Sequence, residues 1–573
     1  MPPRRRASAS ACFAVLKKEI AMPASSPDAA TLDAPVPRAR RAPPGKTPPA
    51  KPATAEGEAN PYRWIILIGL ISSVIMEALD STIINVALPR MGGNLGATPN
   101  EIGWVSTGYI LSVVVVLPLT AWLASRFGRK RYLVASITLF TIASLFCGLS
   151  HSLGQLIFWR VMQGVGGGAL LSTAQATLLE IFPQSQQGMV QAIFGFGVVV
   201  APAVAPMLGG WLTDNYSWPF VFFVNLPIGI GATFLISTYL QDSEFKQSSA
   251  DSVDWTGIIL LAMGLVSLQY VLEEGQQDDW FGSVLIVRLA VVAAIALIGF
   301  VAWELSPRNT KPAVDLRVLA DRNLLGGVLI ALAMGFGLLG GLFIFPLFVQ
   351  GVLGFTATET GIVLLPAGLA ILAAIVFCGS VIQKGFDPRI LIGIGITVFI
   401  AANWELGHLS PQSDSHSVLL GQILRGAGIG FLFIPVSVSA YQSLKGAQIA
   451  QGTALWNLSL QMGGSLGIAV LNTYVISMTQ MHRVDLAGHL GAGSIAFSDR
   501  QAGLTQSLVA HGFGLPQATH AALGLINQTV QTQSVTMAYN DAFLLIGGVY
   551  MFVFPVILLL QKPKPGAAPA PLH

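Results

Sequence analysis

From Trp64 onward the chain alternates long apolar runs with short polar connections. Each run holds roughly twenty residues, the length an α-helix needs to cross a hydrocarbon core of about 30 Å. The runs cover 64–88, 102–124, 131–150, 155–179, 188–212, 219–240, 257–272, 283–304, 324–350, 357–382, 389–407, 418–440, 452–478 and 541–561. This pattern predicts an all-α polytopic membrane protein with fourteen transmembrane helices. One connection, 479–540, is long, with His482, Arg483 and several Gln. It is too polar to span and is expected to form helices outside the membrane. Residues 1–62 carry no such periodicity. They are rich in Pro, Ala, Arg and Lys, as in Arg38 to Pro44, a composition that cannot bury a core. Their one apolar run, Ala11 to Leu16, is short for the core of a signal peptide. The segment reads as a basic cytoplasmic tail, in which Met1 and Met22 are alternative starts. Residues 563–573 read as a second tail.

Composition agrees with this pattern. Of 573 residues 53% are apolar and 10% charged, against about 25% charged in soluble domains. A net charge of +3 gives no reason to expect a nucleic-acid partner. The placement of Lys and Arg says more. With the N-terminus inside, the inner connections hold Arg126, Arg129, Lys130 and Arg131; Lys246; Arg308, Lys311, Arg317 and Arg322; Lys384 and Arg389; Lys445; and Lys562 and Lys564. The outer connections hold Arg90, then Arg483 and Arg500. This bias predicts cytoplasmic N- and C-termini and an even number of spans. Cys12, Cys147 and Cys378 are too scattered for a disulfide framework or metal site.

The spans repeat. A basic glycine turn (Arg126, Gly128, Arg129, Lys130) joins spans 2 and 3, and Lys384 to Arg389 join spans 10 and 11. Arg160 followed by Gly164 and Gly166 lies in span 4. Arg425 followed by Gly426, Gly428 and Gly430 lies in span 12. Spans 1–6 (63–241) and 9–14 (323–562) therefore read as two related six-helix halves, with spans 7 and 8 (255–305) inserted between them. Paired halves around a midplane site are a common transporter architecture.

Charge inside a span is costly and marks chemistry. Glu77 and Asp80 share one face of span 1, and Ser81, Thr82 and Asn85 continue its polar stripe. They are candidates for carrying a proton. Arg160 cannot lose its own proton and is the natural counter-charge, with Gln163 one turn on. Arg425, Asn457 and Gln461 are cavity candidates beside Asn85 and Gln163. Trp456, Phe336 and Phe343 are candidate aromatic lining. Asp541 is a possible second titratable site. In span 5, Pro202 and Pro206 favour a kink, and Gly209 and Gly210 permit close packing. The run from Gly164 to Ala169 matches a dinucleotide fingerprint only formally, since no strand precedes it. Its glycines read as helix-packing positions. His151, His408 and His416 fall at outer ends and read as surface residues.

Together these motifs resemble the major facilitator superfamily, and most closely its fourteen-helix drug:proton antiporters of the EmrB/QacA type. The resemblance runs from about residue 64 to 562. It is carried by Leu79 to Pro89 in span 1, Trp122 to Lys130, Arg160 with Gln163, Gly164 and Gly166, Pro202 with Pro206, Gly209 and Gly210, Phe222 to Gly229, and Asp279 to Phe281. Ser125 and Ala121 replace the loop motif's usual acidic residue and first glycine. Leu460 stands where a basic residue is frequent. The resemblance implies proton-coupled export of hydrophobic or amphipathic toxic compounds across the bacterial inner membrane, with proton and drug competing for different states of one cavity. The long last outer loop resembles the Gram-negative EmrB branch. It implies a periplasmic adaptor and an outer-membrane channel as partners, besides the lipid bilayer and small hydrophobic substrates. No cofactor is implied; the proton gradient supplies the energy, and no phosphate-binding Gly-Lys motif for ATP is present. A dedicated exporter of one compound, such as a siderophore, fatty acid or antibiotic, would share the fold. A receptor or scaffold would have no use for intramembrane charges, and no nucleophile–base pair points to an enzyme.

Overall fold

The structure, a computed structural model, describes residues 61–241, 254–309, 312–444, 447–490 and 495–561. Met1, Cys12, Met22 and the rest of the basic tail up to residue 60 lie outside the described residues. So do Lys246, Lys311, Lys445, Lys562, Lys564, the tail from 563, and the side chains of Asn85 and Pro206.

Every regular element among the described residues is helical, as expected where backbone polar groups must be satisfied without water. In chain order they are α1 (Arg63–Leu95), α2 (Pro99–Phe127), α3 (Arg129–Gly148), α4 (Leu153–Gly167), α5 (Leu170–Ile181), α6 (Gln184–Asn215), α7 (Phe220–Phe223), α8 (Asn225–Tyr239), α9 (Trp255–Glu274) and α10 (Val284–Glu304). Then follow α11 (Arg322–Gly351), α12 (Ala357–Gln383), α13 (Pro388–Leu406), α14 (Ser415–Tyr441), α15 (Ala447–Gly488), α16 (Ile495–Ala510) and α17 (Leu515–Met551). Among the described residues twelve helices are long and apolar enough to cross a membrane. The other two expected spans also lie on helix, 155–179 on α4 and α5 and 188–212 on α6. Span 4 is split because Ala169 N–H turns back to Gly166 O, a tighter i→i+3 bond. α6 runs unbroken through Pro202 and Pro206.

The helix ends follow local chemistry. At the starts of α2 and α12, Thr98 with Glu101 and Thr356 with Glu359 form capping boxes. Gly96 and Gly354, each two residues before the capping Thr, have φ of 66° and 74°. Such left-handed turns favour glycine, which has no Cβ to clash. Asp414 caps α14, and its bonds from Ser417 hold its carboxyl below the usual carboxylate range.

Two helices run on past the expected spans into the connection expected to be helical outside the membrane. Span 13 was expected to end at 478 and span 14 to begin at 541, but α15 continues to Gly488 and α17 begins at Leu515. At about 1.5 Å per residue, the 42 residues of α15 are about twice as long as a hydrocarbon core is thick. Hydropathy marks only the part of a helix that sits in lipid. The two helices pair with each other, and α17 also with α16. α17 in turn stops at Met551, and a 3₁₀ segment, Phe554–Leu559, follows. Arg288, one turn into α10, is exposed, a basic residue within an expected span that the orientation argument passed over.

Packing repeats between two helix sets. In the first, α1 packs on α6 and α8, α3 on α4 and α8, and α2 on α4. In the second, α11 packs on α15 and α17, α13 on α14 and α17, and α12 on α14. The sets meet where α6 lies against α12 and α14, and where α2 and α5 lie against α15. α9 and α10 pack on each other, and α9 also touches α2 and α15. Asp254 and Glu304 tie this pair at one end, where both accept from Asn309 Nδ2, at 2.6 and 3.0 Å.

Candidate functional site

The first helix set encloses a buried polar cluster around Asp80. Asp80 on α1 and Arg160 on α4 are both essentially inaccessible, at 1% and 0% exposure. Arg160 Nη1 donates to Asp80 Oδ2 at 2.6 Å. Two amides complete the carboxylate's shell: Gln163 Nε2 at 2.9 Å and Asn225 Nδ2 at 2.8 Å both donate to Oδ1. Arg160 also donates through Nη1 to Gln163 Oε1 and through Nε to Val105 O. Its guanidinium carbon lies 4.2 Å from the centre of the Tyr109 ring. Ser144 holds Asn225, accepting from its Nδ2 at 3.1 Å and donating to Phe222 O. Side chains of α4 and α8 thus converge on one carboxylate of α1, with α2 and α3 behind them. Each of these residues has at least one partner, as burial in a low-dielectric interior demands, while Arg160 Nη2 and Asn225 Oδ1 have none among the described residues.

Glycines make that convergence possible. A Cβ at Gly164 would run into Tyr109 O of α2, and one at Gly166 into the backbone at Ser136 and Phe140 of α3. Absence of side chains lets α4 sit against both backbones, which brings Arg160 within reach of α1. Gly209 does the same for α6 against Ile83 O. Gly210 next to it meets only Val86 at an ordinary contact distance.

The family model for the Major Facilitator Superfamily matches residues 70–468. The chain belongs to the Major Facilitator Superfamily. It is a multi-pass membrane transporter rather than an enzyme. Among curated relatives, fatty acid resistance protein FarB of Neisseria gonorrhoeae is 31% identical, over 87% of this chain and 96% of that protein. Multidrug export protein EmrB of Haemophilus influenzae is likewise 31% identical, over 87% and 96%. Colistin resistance protein EmrB of Acinetobacter baumannii is 28% identical, over 86% and 94%. A double-tryptophan mutant of XylE shares the fold at 12% identity, with a TM-score of 0.56 over 88% of this chain and 97% of its own.

The other candidates of this superfamily chain scatter. Glu77 is half-buried one turn before Asp80, beside Tyr109. Arg425 is buried in the second helix set, where it donates only to backbone carbonyls of α11. Asn457 crosses between the sets, donating from α15 to Ser172 Oγ and Gln175 Oε1 of α5. Gln461 is half-buried one turn further along α15. Asp541 pairs with His482 Nε2 at 2.7 Å, joining α17 to α15. In the basic turn, Arg126 is exposed and Lys130 half-buried, while Arg129 ion-pairs with Glu180 at the end of α5. Trp456 and Phe336 are buried in the second core, with Phe343 packed against it.

Sequence reasoning missed Asn225, Ser144 and Tyr109 in the Asp80 cluster, and Glu180 as the partner of the basic turn. It also missed a group at the far end of α9, where Thr107 Oγ1 lies 3.3 Å from both Glu273 Oε2 and Glu274 Oε1. Gln269 links that group to Ser465 of α15.

Proposed function

We propose that this protein is a proton-coupled multidrug exporter of the bacterial inner membrane. In this reading fourteen helices cross the bilayer, both termini are cytoplasmic, and two six-helix halves rock about a central cavity. The observation that carries the reading is the ion pair of Asp80 and Arg160 buried inside a membrane-spanning set. A proton arriving at Asp80 removes the negative charge while Arg160 keeps its own. An unpaired buried cation costs several kcal/mol, so the loaded and unloaded states cannot have the same packing. That difference couples protonation to a change of shape. Inward proton movement supplies about 2.3 kcal/mol per charge for each 100 mV of membrane potential. The names of the relatives, multidrug export and colistin resistance, support the outward direction. Glu77 assists the proton site, and the glycines and prolines of α4 and α6 allow the sets to move. The outer extension of α15, α16 and α17 is the surface that would meet a periplasmic adaptor leading to an outer-membrane channel.

The test is drug-driven proton release from proteoliposomes. Asp80→Asn is expected to abolish it while leaving drug binding measurable. Coupling equal to wild type would overturn the assignment. The name of one relative, fatty acid resistance, favours a narrower substrate range as a second reading. Growth protection against a panel of unrelated toxins separates the two, since protection against a single compound supports the narrower one.

A further inference from the structure

The two helix sets correspond where α4 and α14 pack on their neighbours. Gly164 sits against Tyr109 O of α2, and Gly426 against Ala367 O of α12. Gly166 sits against the backbone at Phe140 of α3, and Gly428 against that at Phe399 of α13. Gly168 sits against Val113 of α2, and Gly430 against Ile371 of α12. In this register Arg160 corresponds to Gln422 and Gln163 to Arg425. The second set keeps the arginine and the glutamine, with their order exchanged. Counting back from the paired turn glycines Gly96 and Gly354, the place of Asp80 is taken by Leu338. The second set has the cation and the amide but not the carboxylate.

Its polar groups show the consequence. Arg425 is 4% exposed and forms no ion pair among the described residues. It donates to Gly337 O, Leu338 O and Gly341 O at 3.2 to 3.4 Å. These are long contacts to carbonyls inside a helix, and none neutralises its charge. Gln422 is 1% exposed, and its Nε2 has no acceptor among the described residues. Both side chains line one cleft between α6, α11, α12 and α14, where the two sets meet. The remaining wall is apolar, including Val204, Leu342, Leu364, Ile371 and Ile429. An uncompensated cation and a vacant N–H donor at an apolar cleft call for an acceptor with an apolar body. A carboxylate suits a planar guanidinium better than any spherical anion.

We propose that this cleft binds organic anions, with the carboxylate of a single-chain amphiphile on Arg425 and Gln422 and its hydrocarbon against the apolar wall. The ligand supplies the negative charge that Asp80 supplies in the first set. The site deepens the exporter reading, on which its role in transport rests, by naming a substrate class.

The experiment is equilibrium binding to the purified full chain in phosphatidylcholine nanodiscs, with palmitate and 1-hexadecanol as probes and no proton gradient. Wild type is expected to bind palmitate at least about tenfold more tightly than the alcohol. Gln422→Leu should weaken palmitate several-fold, and Arg425→Gln should erase the preference. Leu338→Asp installs the missing carboxylate and should abolish palmitate binding in a folded protein. Equal affinity for acid and alcohol overturns the site. So does undiminished palmitate binding by Leu338→Asp, or displacement of palmitate by phosphatidylglycerol, which would assign the cleft to membrane lipid. Drug-driven proton release on the same preparation judges the exporter reading separately. Its loss alongside intact palmitate selectivity would count against that reading and leave the site standing.

Discussion

The Asp80–Arg160 pair predicts a specific pattern of non-additivity. Both side chains are 1% exposed and their closest atoms are 2.6 Å apart. Removing one partner of such a pair strands a charge, at a cost of about 3–5 kcal/mol. The two single variants should differ. In Asp80→Asn, Arg160 keeps Val105 O, Gln163 Oε1 and the Tyr109 ring. Each hydrogen bond to a charged group is worth about 1.5–3 kcal/mol, so this variant belongs at the low end. Arg160→Met also takes a charged donor from Val105 O and leaves Gln163 Oε1 only Cys147 Sγ at 3.7 Å, which places it at the high end. In the double variant no charge is left buried. Its loss should fall short of the sum of the singles by about 2–4 kcal/mol. The assay is unfolding of the four proteins in mild detergent titrated with dodecyl sulfate, followed by tryptophan fluorescence. All three variants should lack proton coupling, while the double variant should lose about 4–6 kcal/mol rather than the roughly 8 kcal/mol that additive singles would give. Losses that add to within about 0.5 kcal/mol would mean that the two charges do not hold each other, and would refute the argument.

Two further outcomes follow from packing and orientation. Any side chain at Gly463 would meet Leu332 O of α11, so Gly463→Val should lower stability by about 1–3 kcal/mol; Gly488→Val, where the space is open, is the control, and equal stability of the two would refute the close α11–α15 contact. In a Cys12→Ser background Cys147 and Cys378 are buried and should stay unlabelled by a membrane-impermeant maleimide. There His408→Cys should react from outside intact cells and Lys384→Cys only after the inner face is opened; the reverse order would invert the proposed orientation.

What the sequence reveals depends on whether a feature is local or needs a distant neighbour. The apolar runs are local, and their positions match the helices because the spanning length is set by the bilayer. The stretches of α15 and α17 beyond the expected spans are not visible to the same test, because a helix leaving the membrane loses its apolar signature without ending. Asp80 and Arg160 stand out because charge is rare in such runs. Asn225 and Ser144 do not, since a neutral polar residue in a span gains meaning only from what it faces. Glu180 was hidden for the same reason: nothing in its neighbourhood tells which of the chain's basic residues it meets.

Some of what was missed was local all the same. The paired capping boxes, Thr98 with Glu101 and Thr356 with Glu359, and the turn glycines two residues before each Thr are written in the chain. They fix the register between the two sets, and that register exposes Leu338 in the place of Asp80. This difference bears on how coupling works. The expectation of proton and substrate competing within one cavity places both on the same groups. Asp80 lies inside the first set, whereas Arg425 and Gln422 line the contact between the sets. A proton at one and an anion at the other must then communicate through the surfaces where the sets touch. Those surfaces are α6 against α12 and α14, and α5 against α15 through Asn457, Ser172 and Gln175. Coupling of that kind requires two packings of those helices that the two ligands favour unequally. The glycine contacts that leave helices touching through backbone lie inside each set, α4 on α2 and α3 and α14 on α12 and α13, whereas Gly195 and Gly361 meet side chains between the sets, so the shift falls on side-chain contacts between two tightly packed bodies.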